Sequence, residues 1–371
     1  MNSDHGRRPT RGTGTTRRGL LAATGALALP LCAIRTRPAD AAEFSYKLAT
    51  GQDPSHPVNK RGQEAIDRIR EATGGQLEIR LFPANQLGSD TDLMGQVRNG
   101  GVEFFNQSSA VLATLVPAAG LLNIGFAFSS SDLVYAALDG PLGSYIESQI
   151  EKAGLLTASP CWANGFREVT SSTRPIRTPD DLVGFKIRVP ASPILTSLFQ
   201  ALRGGPTPIN FNELYSALQT KLVEGQENPL PIIATAKLYE VQQYCSMTNH
   251  VWDGYWILAN RRAMQRLPEE IQQIVAHEFA RAGRDERADI ARLTDALRAE
   301  LSAKGLKFID PDRAAFRDQA KRAGFYKDWH AKFGDEAWKL LETLPDRCDV
   351  GPPGGTARAK FRGQAFCADP P

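Results

Sequence analysis

Histidine and cysteine are scarce, five of each in 371 residues. The histidines are scattered, and no Cys/His spacing matches a metal site, so neither a metal nor another cofactor is expected. The sequence also lacks G-x-S-x-G and H-E-x-x-H, and no cysteine stands close to a histidine in a known pattern. A hydrolase or lyase is thereby left without its usual signature of nucleophile and base. Beyond the N-terminus no run of eighteen apolar residues offers a membrane span. Charge of one sign is missing too. The formal net charge is +3, but the first 41 residues hold seven arginines and two aspartates. Without them 37 basic residues face 39 acidic ones, a net −2. That balance leaves no electrostatic footprint for nucleic acid or anionic lipid.

The N-terminus carries the strongest local signal. Arg17-Arg18 precede an apolar stretch from Gly19 to Ile34, and Ala39-Asp40-Ala41 fits a small-x-small cleavage pattern. This reads as a twin-arginine export signal over 1–41, which places the mature protein in the periplasm. Cys161 and Cys245 sit in strand-like runs and read as buried apolar residues. Cys348 and Cys367 bracket a Gly/Pro-rich tail without apolar periodicity. A disulfide between them would close a loop of about twenty residues and contribute roughly 3 kcal/mol.

A hydrophobic fraction of 42% supports one large core or two medium ones. Residues 44–50 read as a strand, and Val58, Gly62, Ala65, Ile66, Ile69 and Thr73 then recur at helical spacing up to Gly74-Gly75. Residues 76–82 alternate as a half-exposed strand, and a short helix leads into the strand "VEFFNQ". Strand, helix, strand, helix, strand predicts a parallel α/β layer. The same order restarts later. "LTASPCWANGFREVTSS" reads as extended, Thr178-Pro179-Asp180-Asp181 as a capped short helix, and "FKIRVP" as a strand. "NFNELYSALQTKLVEGQ" predicts a helix capped by Asn210 or Asn212 and stopped by Gly225. "YCSMTNHVWDGYWILAN" predicts one long strand-like passage. A helical pattern of about thirty-eight residues follows, too long for one small domain, so it is expected to lie across two lobes. A last helix is expected over about 323–343. Two lobes of this kind leave a cleft between them.

Arg188 lies on the face of its strand opposite Ile187 and Val189, and Pro190 ends the strand. It therefore stands at a carboxyl end, where open α/β sheets bind ligands, and its planar fork of donors matches a carboxylate. By itself an arginine there is commonly a surface charge. The same holds for Arg167 after its Asn-Gly pair. Asn228, before a proline, also fits a plain turn. Phe211 fits a hydrophobic staple, and Trp252, Tyr255 and Trp256 fit a core.

The segments "FPANQLGSD", "NGFREVTSSTRPI", "GFKIRVP", "PTPINFNELYSALQTKLVEGQENPL", "LYEVQQYCSMTNHVWDGYWILAN" and "RLPEEIQQIV" are similar, in this order, to the solute-binding proteins of tripartite ATP-independent periplasmic (TRAP) transporters, of the dicarboxylate-binding DctP type. The resemblance covers roughly 44–345. It implies an α/β, periplasmic binding protein-like (type II) fold, with two α/β lobes around a hinge and a long helix spanning both. Lobe I is expected over 42–164 and 254–293, lobe II over 165–253 and 294–346, and a tail over 347–371. The resemblance puts the carboxylate-holding arginine on Arg188, a second ligand contact on Arg167, a polar contact on Asn228 and an aromatic wall on Phe211. Ser108, Trp252, Tyr255 and Trp162 complete the expected ligand site.

The implied function is capture of an organic acid anion and its delivery to TRAP membrane permease subunits, by a monomer that binds no nucleic acid. A ligand-sensing partner of a membrane receptor and a periplasmic hydrolase or lyase are the alternatives. Compared with the sialic-acid-binding branch, Ser108 replaces a glutamate, Val111 an arginine and Ala191 an asparagine. Missing partners for a sugar acid's hydroxyls, together with the nearby aromatics, point to an aromatic or short aliphatic mono- or dicarboxylate rather than sialate.

Overall fold

The computed structural model of the chain describes residues 42–343. The signal expected over 1–41, the tail and the Cys348–Cys367 bridge lie outside them. Among the described residues twelve strands form two sheets. In chain order these are β1 (Phe44–Thr50), β2 (Leu77–Phe82), β3 (Phe104–Ser108), β4 (Leu155–Thr157), β5 (Trp162–Phe166), β6 (Glu168–Ser171), β7 (Lys186–Val189), β8 (Gly205–Pro208), β9 (Gly225–Asn228), β10 (Tyr244–Ser246), β11 (Trp252–Asn260) and β12 (Lys307–Ile309). The first sheet runs β2-β1-β3-β11-β4, with β5 also paired to β11, and the second runs β12-β10-β6-β9-β7-β8. β1 pairs in parallel with both β2 and β3, as the alternation of strands and helices predicts. The antiparallel β11 is shared among β3, β4 and β5.

The first helix, Pro57–Ala72, shows why these elements form where they do. Pro57 occupies its first turn, and the His56 Nδ1 accepts the Val58 amide as a cap. Val58, Gly62, Ala65, Ile66 and Ile69 are all buried on one face, and the left-handed Gly74 follows its end. The chain passes between the sheets at Arg167, in the segment 247–251, and along the 35-residue helix Glu269–Ala303. That helix is roughly 50 Å long at 1.5 Å per residue. Ile271, Val275, Phe279 and Ala282 join one apolar cluster with Tyr46 and Leu48. Leu297 and Leu301 join another with Leu214, Leu230 and Ile233. The last helix, Phe325–Glu342, kinks at Gly334 and packs against both Pro117–Asn123 and Pro193–Ala201. Cys161 and Cys245 are free and buried.

Two local expectations are corrected. The helix foreseen from Asn210 to Gly225 is only a turn, Phe211–Glu213, and a short helix, Leu214–Gln219, and Asn210 makes no side-chain cap. The left-handed Lys221 (φ 60°) lies just past its end. Gly225 instead opens β9, where a Cβ would come within 2.2 Å of the Thr170 carbonyl oxygen. The passage foreseen as one strand from Tyr244 to Asn260 divides between the sheets, with Asn249 at φ 43° in the crossing. Hydrophobic runs do not register such a crossing, because β10 and β11 are apolar on both sides of it.

Gly283 lets the long helix approach β5. A Cβ there would meet the fully buried Trp162 ring at 2.6 Å from Nε1, which already donates to Ser159 Oγ. Overpacking of this kind typically costs about 1–3 kcal/mol. Gly283→Ala should lower the denaturant midpoint accordingly; an unchanged midpoint would show that Trp162 gives way freely.

Candidate functional site

The carboxyl ends of β1, β3 and β7 open onto one cavity of about 30 Å³. Gly51 and Gln52 leave β1; Asn106, Gln107 and Ser108 end β3; Arg188 and Pro190 end β7. Asn164, Arg167, Phe211, Asn228, Tyr255 and Asp90 complete the polar and aromatic wall, with Val111 and Ile232 as apolar members. Six of the eight side chains expected at the ligand site thus line one space: Arg188, Arg167, Asn228, Phe211, Ser108 and Tyr255.

Trp162 and Trp252 do not line it. Trp162 is turned toward Gly283 and Ser159. Trp252 joins the main apolar cluster and meets Tyr135 edge-to-face at 5.9 Å. All nine residues of β11 are buried, so the pattern of apolar residues does not say which of them face the cavity. Of the three positions that differ from the sialate-binding pattern, Ser108 and Val111 line the cavity. Ala191 lies in a separate surface groove with Ser192 and Pro193.

Arg188 is 1% exposed. Its strand is hydrogen-bonded on both sides, to β8 and β9, which fixes the backbone beneath it. Its Nε donates to the Ile209 carbonyl at 2.9 Å, and its terminal nitrogens have no protein acceptor among the described residues. Burial pulls its pKa down to about 10, so it stays cationic at neutral pH.

Arg167 is held quite differently. Nε and Nη2 fork onto the Glu227 carboxylate at 2.5 and 2.8 Å, and Nη2 also reaches the Glu227 carbonyl and Asn228 Oδ1. Nη1 donates to Asp253 Oδ2 at 3.0 Å. Glu227 belongs to the second sheet and Asp253 to the first, so one guanidinium bridges both. Asn228 also donates from Nδ2 to Gln226 Oε1.

Asp253 is a hub. It accepts from Ser108 Oγ (2.6 Å), Asn164 Nδ2 (3.0 Å) and Asn123 Nδ2 (3.2 Å) as well as from Arg167. A register shift between Asp253 and Gly254 in the β11–β5 pairing re-aims the strand at this point. On the far side of Glu227 lies His250, whose ring Nε2 is 3.0 Å from Oε2 and whose Nδ1 faces Thr248 Oγ1 at 2.8 Å. Burial lowers the His250 pKa against the pull of Glu227, so the ring is neutral. The carboxylate can only accept, so the proton sits on Nε2. Burial opposes ionisation of Glu227 too, but the Arg167 charge and the His250 and Arg167 donors outweigh it and bring its pKa from 4.5 to about 2.

Asp90, Gln52, Asn106, Gln107 and Asn164 were not singled out from the sequence. Asn106-Gln107 at the end of the apolar run "VEFF" carries the same signal that marked Arg188, polar side chains at a strand's carboxyl end. Burial raises the Asp90 pKa, opposed by the Asn85 amide, the Arg188 charge and the Phe211 backbone.

Residues 48–328 match the family model described as bacterial extracellular solute-binding protein, family 7 (DctP). The chain belongs to this family. Among curated relatives, the uncharacterised protein y4mM of Sinorhizobium fredii is 34% identical over 262 residues, 71% of this chain but only 48% of that protein. The 2,3-diketo-L-gulonate-binding periplasmic protein YiaO of Escherichia coli is 31% identical over 289 residues, 78% of this chain and 87% of that one. Among solved structures, a succinate-bound TRAP periplasmic solute-binding protein from Sulfurospirillum deleyianum superposes with a TM-score of 0.78 at 28% identity, covering 82% of this chain and 100% of that one. The DctP fold of this chain is thus a mixed α/β architecture of two sheets and a long helix.

A carboxyl whose pKa is lowered on folding adds stability that is complete above about pH 4.5 and is lost as the pH falls towards 2. Glu227→Gln removes one side of a buried ion pair and should cost about 3–5 kcal/mol at neutral pH. Its melting temperature should then fall less steeply than the wild type's between pH 5 and pH 3, on the order of the window just named. Parallel acid limbs for the two proteins would show that Glu227 is not held ionised by this network.

Proposed function

We propose that this protein captures an organic acid anion in the periplasm and hands it to the membrane permease of a TRAP transporter. One observation carries the reading: Arg188 is a buried cation whose terminal nitrogens face a cavity and have no protein acceptor among the described residues. A carboxylate supplies the missing charge and accepts two parallel bonds. In a space shielded from water that pairing is stronger than at a surface. Asn228, with one amide hydrogen uncommitted, and Arg167 flank the same end, and Phe211 covers the apolar side. Relatives that bind 2,3-diketo-L-gulonate and succinate support an acid ligand.

The fold supports a hinge. The segments at Arg167 and 247–251 join the sheets, and a cavity of about 30 Å³ has room for about two waters. An organic acid enters only when the sheets part, and its contacts with both walls favour the closed state. With Trp162 and Trp252 in the core, Phe211 and Tyr255 are the aromatic side chains left in the wall. A short aliphatic acid therefore fits better than an aromatic one. Ser108 donates to Asp253, a carboxylate already paired with Arg167, which disfavours a hydrolase or lyase built on that serine. A receptor's sensing partner would bind its ligand in the same way.

A thermal-shift screen over organic acids should find ligands that raise the melting temperature. Arg188→Ala should weaken the best of them by about 30-fold or more, the loss of one side of a buried charge pair. If the best acid binds Arg188→Ala as tightly as the wild type, the reading fails.

A further inference from the structure

Three charged side chains line the cavity: Arg188, Arg167 and Asp90. Behind them stand Glu227 and Asp253, both fully buried, and the neutral His250. Arg167 is already paired with both of those carboxylates. Among the described residues one cation, Arg188, is thus left for a ligand, and Asp90 adds a carboxyl group to the same wall. One carboxylate can be neutralised here. A second would enter a buried space with no cation left for it and an acid already present.

The rest of the wall is polar and uncharged. Gln52 Oε1, Asn106 Oδ1, Gln107 Nε2, Asn164 Oδ1 and the Tyr255 hydroxyl have no partner among the described residues, and each of these side chains is more than nine-tenths buried. Two of the five have their role fixed. The Asn164 Nδ2 donates to Asp253, so its Oδ1 must accept. The Gln107 Oε1 accepts the Ser108 amide, so its Nε2 must donate. A second carboxylate only accepts and leaves Asn164 Oδ1 unmet. A hydroxyl both donates and accepts, and it satisfies either kind of group. Leaving such groups unpaired against an apolar chain is costly, so the wall discriminates strongly for hydroxyls.

We infer that the acid carried is a hydroxylated monocarboxylate, with its hydroxyls against Gln52, Asn106, Gln107, Asn164 and Tyr255, and that Asp90 excludes a second carboxylate. The inference rests on the proposed acid-binding function and sharpens its ligand class. It sets this chain apart from its succinate-bound structural relative.

The test is calorimetric titration at neutral pH of the purified protein with acids matched in chain length. Erythronate, tartrate and butyrate make one set; gluconate, glucarate and hexanoate make another. In at least one set the hydroxylated monoacid should bind tenfold or more tightly than both the diacid and the chain without hydroxyls. Asp90→Asn should narrow the gap between monoacid and diacid by about tenfold. A diacid that binds as well as its monoacid overturns the inference, and so does a preference ratio that Asp90→Asn leaves unmoved. So does a stronger response to amino acids, whose ammonium group Asp90 would pair. If Asp90→Asn does not fold, the wild-type ratios alone decide. Failure of the acid-binding function itself looks different: no acid in either set binds, or Arg188→Ala changes nothing.

Discussion

A guanidinium buried between two carboxylates ties the sheets of this protein together. Arg167 sits where the chain leaves one sheet for the other, and it holds Glu227 of the second and Asp253 of the first. Taking these charges out of water costs several kcal/mol per ion, recovered only where geometry is good and every remaining polar atom is met. Here the fork onto Glu227, the His250 bond and the donors around Asp253 meet that condition. The same arrangement positions the cavity wall. Ser108 and Asn164 stand where they do because Asp253 holds them, and the charge of Arg167 is spent before any ligand arrives. Among the described residues Arg188 is therefore the cation that lines the cavity without a carboxylate bonded to it.

The long helix constrains how such a site can open. It contributes apolar side chains to clusters on both sides of the molecule, so the halves cannot drift apart without bending or sliding it. In the proposed hinge, movement would be channelled into the two crossing segments. One holds the buried Arg167 network and the other the left-handed Asn249. Opening of the proposed hinge would thus disturb the same electrostatics that shape the cavity, so the proposed ligand binding and closure would share one set of interactions.

Much of this was legible in the chain. The helix Pro57–Ala72, the parallel order around β1 and the length of the helix Glu269–Ala303 follow from periodicity, caps and glycine stops, which are local. Arg188 was legible for the same reason, since alternation and Pro190 place it at a strand's carboxyl end. What local pattern or the resemblance misjudged has a common cause. Gly225 reads as a stop but is a space for Phe185 and the Thr170 carbonyl. Trp252, which pattern fits to a core and the resemblance alone puts at the ligand site, packs on Tyr135. In both, the deciding neighbour is far away in sequence.

The sequence by itself determined most element types, the family likeness and one arginine at a strand's carboxyl end, because backbone propensity and side-chain periodicity act over a few residues. Only the tertiary structure decided that Arg167 is neutralised by Glu227 and Asp253, partners 60 and 86 residues away. It also decided that Asp90 faces the same cavity as Arg188. The net charge of a buried site depends on which groups burial brings together, and no window along the chain contains that information.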